Sequence, residues 1–147
     1  MSPSSKSGFY VEAPSLERLF ISSALQLIEQ EVSLRYVTPS ERFTLSLSSD
    51  SPHLLLVGWL NRVIDFFNLQ RFLPRQIYFN GFDGKNINAI LIGEKYNPIK
   101  HGHIESMLHL KPEEVHFQSF LSGDNSFSLR LENSPIVSKL PFPIQAI

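Results

Sequence analysis

Three residues with chemistry to offer lie close together in the 147-residue sequence: Glu94, His101 and His103. In an extended segment alternate side chains point to the same side, so His101 and His103 would face one way. A metal site needs at least three converging ligands, which here would require Glu94 or His109 to join them. Loop histidines more commonly have no function. We therefore expect only a weak candidate polar site at Glu94, His101 and His103, with no metal ion or cofactor.

Other catalytic patterns are missing from the sequence. Cysteine is absent, which excludes disulfides, cysteine-based zinc sites and thiol nucleophiles. No two histidines have the spacing of a zinc-binding helix, no G-x-S-x-G elbow surrounds a serine, and neither common phosphate-binding glycine motif occurs. No pair of acids can be singled out for glycosidic chemistry. The sequence therefore predicts no catalytic residue and no enzyme, and it leaves His53 and His116 as structural side chains.

The charge pattern gives no direct sign of nucleic-acid binding. The formal net charge is −1, and the 13 Lys and Arg residues are scattered along the chain. Tyr78, Phe79 and Phe82 could stack on bases, but an RNA-binding sheet adds Lys or Arg among exposed aromatics, and residues 76–82 carry none. We therefore expect these aromatics to pack in the core. Residues 71–75, which include two arginines, are expected to form a solvated loop.

No membrane segment is predicted. The longest apolar run, residues 54–67, is interrupted by Asn61, Arg62 and Asp65 and is too short to cross a bilayer. The N-terminal residues MSPSSKSG lack the apolar region that a signal peptide needs. These features favour a cytoplasmic protein.

Two amphipathic helices are predicted to form much of the framework around the polar residues. Apolar residues recur at helical spacing between positions 16 and 34, after a suitable N-cap at Ser15. A second helix begins at Asp50-Ser51-Pro52 and contains LLLVGWLNRVIDFF, residues 54–67. One face of this helix carries Leu56, Trp59, Leu60, Val63, Ile64 and Phe67. The pattern predicts a core helix with Trp59 as its largest packing element.

Most other segments have the alternation or the bounding turn residues of β-strands. The predicted strands are residues 8–13, 43–48, 76–79, 86–92, 103–110, 114–120 and 127–132. Asp83-Gly84 predicts a hairpin turn, and residues 123–125 predict another turn. The tail contains Pro135, Pro141 and Pro143, which restrict it to an edge strand or a loop.

The order of these elements is β-α-β-α followed by a run of strands. The polarity of the strands alternates too strongly for an all-parallel sheet covered on both faces. We therefore expect an α+β fold in which two helices pack on a mainly antiparallel, curved sheet. Residues 1–7 are predicted to be disordered, and residues 8–147 to form a single domain.

Three segments follow one another in the order of a known family. Residues 15–20 with Ala24 are similar to a first-helix signature, T-L-E-E-[LA]-F with a following alanine. Residues 54–61, LLLVGWLN, are similar to a second-helix signature, L-L-x-x-W-L-[NS]. Residues 89–94 and His101 are similar to A-x-x-x-G-E with a later histidine. Over about residues 8–120 the chain thus resembles the archease family, which implies a small α+β accessory factor that helps the tRNA-splicing RNA ligase to become guanylylated and to turn over.

Three segments that carry the function of that family do not match. Archeases open with H-T-A-D, whose aspartate helps to bind a metal ion; counting back from Leu16 without gaps puts residues 3–6, ending in Lys6, at that place. They end in D-I or D-V with a second metal-binding aspartate, where this chain has Ala146-Ile147. Their K-A-V-T-Y-H motif falls on residues 108–113, LHLKPE. The comparison therefore favours a divergent archease-like protein that has lost the metal site, because a hard divalent ion needs several oxygen ligands.

Three functions remain open from the sequence. The first is a non-catalytic accessory or regulatory factor that contacts a protein partner, which by resemblance is an RNA ligase in tRNA splicing. The second is an interaction protein that kept the fold and acquired an unrelated partner. The third is a small-molecule binder or enzyme with a new site near Glu94, His101 and His103.

Overall fold

The structure is a computed structural model that describes residues 9–120 and 126–131. The elements, in chain order, are β1 (Phe9–Ala13), α1 (Leu16–Glu29), β2 (Glu41–Ser48), α2 (Pro52–Gln70), β3 (Phe72–Phe82), β4 (Asn86–Lys95), α3 (Pro98–His101), β5 (Val115–Phe120) and β6 (Ser126–Leu131). The expectations for residues 1–7, for the turn at 123–125 and for the proline-containing tail lie outside the described residues.

The strands form antiparallel sheets against which the two long helices pack. Hydrogen bonding divides them into two three-stranded sheets, in the orders β1-β6-β5 and β2-β4-β3. Apolar side chains of both long helices and of the β2-β4-β3 sheet share one buried core. The predicted α+β class, with two main helices on antiparallel strands, is confirmed, and α3 adds a single further turn. No helix in the described part of the chain is long and apolar enough to cross a membrane.

Helix α1 begins where the sequence predicted but ends earlier. The Ser15 hydroxyl oxygen accepts from the backbone N–H of Arg18 at 3.1 Å, as an N-cap should. The helix ends at Glu29 instead of residue 34, because the Glu29 carboxylate accepts the N–H of Leu34 and the chain closes into a 3₁₀ turn over residues 34–36. The buried stripe of α1 was predicted correctly, whereas the last turn was predicted too long.

Helix α2 is the core helix that the sequence predicted. Ser51 is its N-cap, and Pro52 occupies the first turn. All six predicted apolar residues are fully buried: Leu56, Trp59, Leu60, Val63, Ile64 and Phe67. The Trp59 indole N–H donates to the carbonyl oxygen of Phe20 on α1 at 2.8 Å, and its ring contacts Phe79 of β3 edge-on. The buried polar atom of Trp59 is thereby satisfied, and one side chain joins three elements.

The solvated loop expected at residues 71–75 is wrong. Only Arg71 remains outside a regular element, where it ends α2 with a left-handed backbone, φ 54°. Strand β3 begins at Phe72, and Phe72, Leu73 and Pro74 are all buried. The strand tolerates Pro74 because a bulge follows it. Gly93 lies opposite Pro74, and glycine is required there because a Cβ would collide with the carbonyl oxygen of Leu73.

The prediction of a strand at residues 103–110 is also wrong. This segment has no strand partner among the described residues and lies instead along α2. The side-chain amide of Asn68 both donates to and accepts from the backbone of Met107, at 2.7 and 3.0 Å. Asn61 makes the same pair of bonds to Leu110, at 3.0 and 2.7 Å. Two amide side chains thus replace the neighbouring strand that the backbone would otherwise need.

The β3-β4 hairpin was predicted correctly and is longer than expected. Gly84 has φ 91°, a conformation that favours glycine. The Asp83 carboxylate accepts the N–H groups of Lys85 and Asn86 at 2.9 and 2.8 Å. These bonds lower the pKa of Asp83, and they fix the register that carries the polar residues described below.

Candidate functional site

The structure brings together two of the three residues of the predicted polar site. Glu94 is near the end of β4 and His101 is the last residue of α3, with Nε2 of His101 2.8 Å from a Glu94 carboxylate oxygen. His103 is exposed and contacts Glu105 instead, at 3.2 Å. The expectation that His101 and His103 face one way in an extended segment is wrong, because Gly102, with φ 88°, turns the chain between them.

One carboxylate oxygen of Glu94 accepts three hydrogen bonds. Its partners are the Lys100 ammonium at 2.7 Å, the His101 ring at 2.8 Å and the backbone N–H of Thr38 at 2.9 Å. Lys100 also donates to the Thr38 hydroxyl at 2.8 Å. We call Thr38, Glu94, Lys100 and His101 the Glu94 cluster. The cluster ties α3 and the loop before β2 to the end of β4.

The His101 ring is held on both of its nitrogen atoms. Its side chain is completely buried, and the backbone N–H of Asn97 donates to Nδ1 at 3.0 Å. Because Nδ1 accepts, Nε2 carries the proton and donates it to Glu94. The ring also stacks on Tyr96, whose hydroxyl donates to the Gly102 carbonyl oxygen at 2.7 Å. His101 therefore has no nitrogen left for a substrate or a metal ion.

The electrostatics of Glu94 fit a structural carboxylate. Burial raises its pKa, but the hydrogen bonds from Lys100, Thr38 and His101 and the charge of Lys100 outweigh that effect and lower the pKa from 4.5 to about 2. Glu94 is thus ionised at neutral pH and holds its proton too weakly to act as a general acid there. One of its two carboxylate oxygens is fully used by partners within the protein.

The described residues contain no candidate metal site of their own. Over residues 9–120 and 126–131, no group of three His, Cys, Asp or Glu side chains could hold a metal ion. Glu94 lies against the Lys100 ammonium, which would repel a cation. His53 is also in use, since its Nε2 lies 2.9 Å from the carbonyl oxygen of Val115. The positions of Lys6 and Ala146 lie outside the described residues.

A second polar region lies on the same side of the β2-β4-β3 sheet. Along β4, Ile87, Ala89 and Leu91 are buried in the core, and the intervening residues point to the other side. Strand register extends this alternation to β2 and β3. We call this side the outer face, and beyond the Glu94 cluster it is formed by Arg42, Thr44, Ser46, Gln76, Tyr78, Asn80, Asn88, Ile90 and Ile92.

The outer face contains a pocket and an exposed aromatic ring. The pocket, of about 240 Å³, is lined by Thr44, Leu45, Ser46, Asn80, Asn88 and Ala89. Tyr78 is 53% exposed, so the prediction that it packs in the core with Phe79 and Phe82 is wrong for Tyr78. Phe79 and Phe82 do stack on each other against the core. Sequence reasoning missed this region because its residues come from three strands and converge only through their register.

A family model described as "Archease protein family (MTH1598/TM1083)" matches residues 7–108. No curated protein matches the sequence. The crystal structure of an archease and possible chaperone from Thermotoga maritima superposes with a TM-score of 0.60 at 12% identity, covering 90% of this chain and 94% of that one.

A second solved structure gives the same result. The solution structure of protein 1598 from Methanobacterium thermoautotrophicum superposes with a TM-score of 0.64 at 17% identity. The alignment covers 91% of this chain and 95% of that chain. At such identities the structural likeness shows the fold alone, whereas the family model matches most of the sequence.

Proposed function

Since this chain belongs to the archease family, we propose that it is a non-catalytic accessory protein that acts by contact with a protein partner. The observation that carries this proposal is the match of the family model over residues 7–108. The Thermotoga maritima relative is described as a possible chaperone, which is an activity of the same kind. Such a protein needs a stable surface and no reacting groups of its own.

The partner that we propose is an RNA ligase of the tRNA-splicing type, in the cytoplasm. This assignment follows from the resemblance of residues 15–24, 54–61 and 89–101 to the family signatures. In this role the protein would favour the guanylylated form of the ligase and help it to turn over repeatedly. The chemistry would belong to the ligase, and the contribution of this chain would be differential binding to one state of its partner.

The polar cluster supports a role without catalysis. In an active site, groups that transfer protons or bind a reacting atom must be reachable and must retain free donors or acceptors. The acceptor oxygen of Glu94 and both nitrogens of His101 are engaged inside the protein, and His103 lies elsewhere. These contacts give little support to an enzyme or small-molecule site near Glu94, His101 and His103.

We also propose that the metal site of the family has been lost. Lys6 stands where the family has one metal-binding aspartate and Ala146 where it has the other. A protonated lysine repels a cation, and alanine has no ligand atom. Calorimetric titration of the purified protein with calcium should release no heat of binding. Micromolar binding of calcium would contradict the loss.

Two exposed apolar side chains offer a way to test contact with a partner. Ile99 is 95% exposed on α3, and Leu69 is 76% exposed near the end of α2. Both lie near the junction where the backbone N–H of Tyr96 donates to the carbonyl oxygen of Arg71, at 2.6 Å. Large apolar side chains that remain in water contribute little to folding, so their replacement tests binding selectively.

The decisive experiment measures guanylylation of the ligase. A tRNA-splicing RNA ligase is incubated with labelled GTP and metal, with and without this protein, and the covalent ligase–GMP adduct and the number of turnovers are measured. We expect both to rise, and we expect Leu69→Ser together with Ile99→Ser to reduce the rise without changing the thermal midpoint. Leu54→Ser, an exposed leucine at the other end of α2, is the matched control. No change in either quantity on adding the protein would contradict the proposal.

A second candidate, an interaction protein with an unrelated partner, is favoured by one specific observation. The three segments that carry the function of the family are all replaced, at residues 3–6, 108–113 and 145–147, whereas the helices that carry the fold are kept. Crosslinking followed by identification of the captured protein separates the two candidates. Capture of an RNA ligase supports the first, and reproducible capture of a different protein that depends on Leu69 and Ile99 supports the second.

A further inference from the structure

Tyr78 occupies the middle of an open sheet surface. It lies on the edge strand β3, opposite the half-buried Ile90 of the central strand β4. Its ring is 53% exposed and has no aromatic or cationic neighbour within the described residues, and its hydroxyl has no hydrogen-bond partner there. An exposed ring on an open antiparallel sheet is a surface on which a nucleobase can stack.

Two arginines lie toward one end of the same surface. Arg42 on β2 and Gln76 on β3 both pair with Ile92 of β4, and Arg75 occupies the bulge next to Gln76. Among the described residues neither guanidinium forms an ion pair, in contrast to Lys100, which is bound to Glu94. Unpaired guanidinium groups bind phosphate oxygens strongly because their fork of N–H donors matches two acceptors.

The outer face carries no acid between Arg42 and the pocket. Its nine residues comprise one arginine, one tyrosine, two isoleucines and five side chains with amide or hydroxyl groups: Thr44, Ser46, Gln76, Asn80 and Asn88. An acid stands at each end of it: Glu94, which is neutralised by Lys100, and Asp83, whose carboxylate accepts from the side-chain amide of Asn86. Between these two ends the surface carries the charge of Arg42 and no acid, although the whole chain has a formal net charge of −1, and this part is complementary to an anionic occupant.

The pocket beside Tyr78 has polar groups that are not used inside the protein. Asn88 accepts from the Ser46 hydroxyl at 2.6 Å, but within the described residues its amide N–H₂ donates to nothing. The Asn80 amide and the Thr44 hydroxyl also have no hydrogen-bond partner in this part of the chain. Gly81 leaves room next to Asn88, since a Cβ at Gly81 would come 2.8 Å from the Asn88 amide nitrogen. Such groups can pair with the edges of an unpaired base or with a ribose hydroxyl.

We propose that the outer face binds single-stranded nucleic acid. Tyr78 stacks on a base, the amides and hydroxyls of the pocket bind its edge, and Arg42 and Arg75 hold flanking phosphates. Three features favour this occupant over a protein segment: arginines without acids between Arg42 and the pocket, an isolated exposed ring, and polar groups without partners among the described residues. The inference does not rest on the proposed accessory function, because binding is measured without any ligase.

The test is fluorescence anisotropy of a labelled oligouridine and a labelled oligothymidine, titrated with the purified protein at low salt. We expect saturable binding of at least one of the two, and the difference between them reports whether the ribose hydroxyl contributes. Tyr78→Ala should weaken binding roughly 5- to 150-fold, the range found when a stacking aromatic is removed. Tyr78→Phe, which keeps the ring, should bind nearly as well as the wild-type protein.

The arginine contacts have a separate signature. Each phosphate contact to a single strand contributes about 0.7 to the slope of log affinity against log salt concentration, so Arg42→Gln should reduce that slope by about this amount. Arg42→Lys should restore most of the slope, since it restores the charge. A loss of affinity without a change of slope would mean that Arg42 does not touch phosphate.

A matched control comes from the other sheet. Tyr10 on β1 is 55% exposed, almost the same as Tyr78, but its hydroxyl donates to Glu12. Tyr10→Ala should leave the affinity unchanged. The proposal is wrong if neither oligonucleotide binds at low salt, or if Tyr78→Ala and Tyr10→Ala have equal effects. It is also wrong if Tyr78→Ala reduces the effect on a ligase while no oligonucleotide binds, because the outer face would then be a protein interface.

Discussion

The two ends of one sheet surface use similar polar side chains in opposite ways. At the covered end, a single Glu94 oxygen accepts three hydrogen bonds and the His101 side chain is fully buried. At the open end, among the described residues, the Asn80 amide and the Tyr78 hydroxyl have no polar partner. The covered end is built around Glu94 of β4, and the open end lies on β2, β3 and β4 only a few residues of register away.

This difference shows which polar groups are available for function. Burying a charged group costs free energy unless partners replace the lost water, so the covered end is built from groups that satisfy one another. The open end remains in water, where an unpaired donor costs nothing and can exchange water for a ligand. The Glu94–His101 pair therefore has a structural role. The candidate binding surface is instead formed by amide and arginine side chains that match no catalytic motif.

A substitution in the core beneath both ends should have the largest effect on stability. Trp59→Ala removes a fully buried ring that contacts Phe79, directly behind the open end, and leaves the Phe20 carbonyl oxygen without its donor. Unfolding by urea should show a loss of about 3–5 kcal/mol, the usual range for a large aromatic replaced by alanine. Trp59→Phe, which retains most of the ring, should lose less. A loss below about 1 kcal/mol would mean that Trp59 is not part of a packed core.

A substitution at the covered end should have the next largest effect on stability. Glu94→Gln keeps the shape of the side chain but removes the charge that Lys100, His101 and the Thr38 N–H share. The free energy of unfolding at neutral pH should fall by about 1–3 kcal/mol, the usual cost of leaving buried polar groups poorly paired. Lys100→Met should cost less, because Lys100 is 40% exposed and its removal leaves two partners on Glu94. Equal losses in the two variants would contradict a cluster centred on Glu94.

The same carboxylate predicts a dependence on pH. The folded-state pKa of Glu94 is lowered from 4.5 to about 2, so its contribution to stability is complete above pH 4.5 and is lost as the pH falls toward 2. Over this window the protein should lose up to about 1.4 kcal/mol per pH unit relative to Glu94→Gln, since one proton is taken up on unfolding. Urea unfolding of both proteins across the window measures the difference. Parallel curves would mean that Glu94 is not held as a carboxylate.

Local sequence patterns predicted the secondary-structure elements far better than they predicted which elements contact one another. The apolar stripes of α1 and α2, the Ser15 cap, the start of α2 and the Asp83-Gly84 hairpin depend on residues within a few positions of one another, and all were predicted correctly. The segment at residues 103–110 was predicted to pair in a sheet because its residue pattern is typical of a strand. Its backbone partners are Asn61 and Asn68, which are 39 to 49 residues away, and nothing local indicates them.

The same limit explains what was missed at the two polar regions. The pairing of His101 with Glu94 depends on the turn at Gly102 and on α3, a helix of four residues that has no periodicity to detect. The cations missing from residues 76–82 are supplied by Arg42, from a strand that reaches Tyr78 only across β4. A search for aromatic and basic residues within a single strand therefore misses a surface whose ring and cation come from different strands of the sheet.

The open end should give the smallest effect on stability, which is what distinguishes it from the covered end. Tyr78→Ala removes a ring that already faces water and has no polar partner within the described residues, so the free energy of unfolding should change by less than about 0.5 kcal/mol. Urea unfolding next to Glu94→Gln measures both ends on one scale. A loss as large as that of Glu94→Gln would show that Tyr78 supports the fold, and the contrast between the two ends would fail. A stable Tyr78→Ala variant that has lost nucleic-acid affinity would separate the two roles completely.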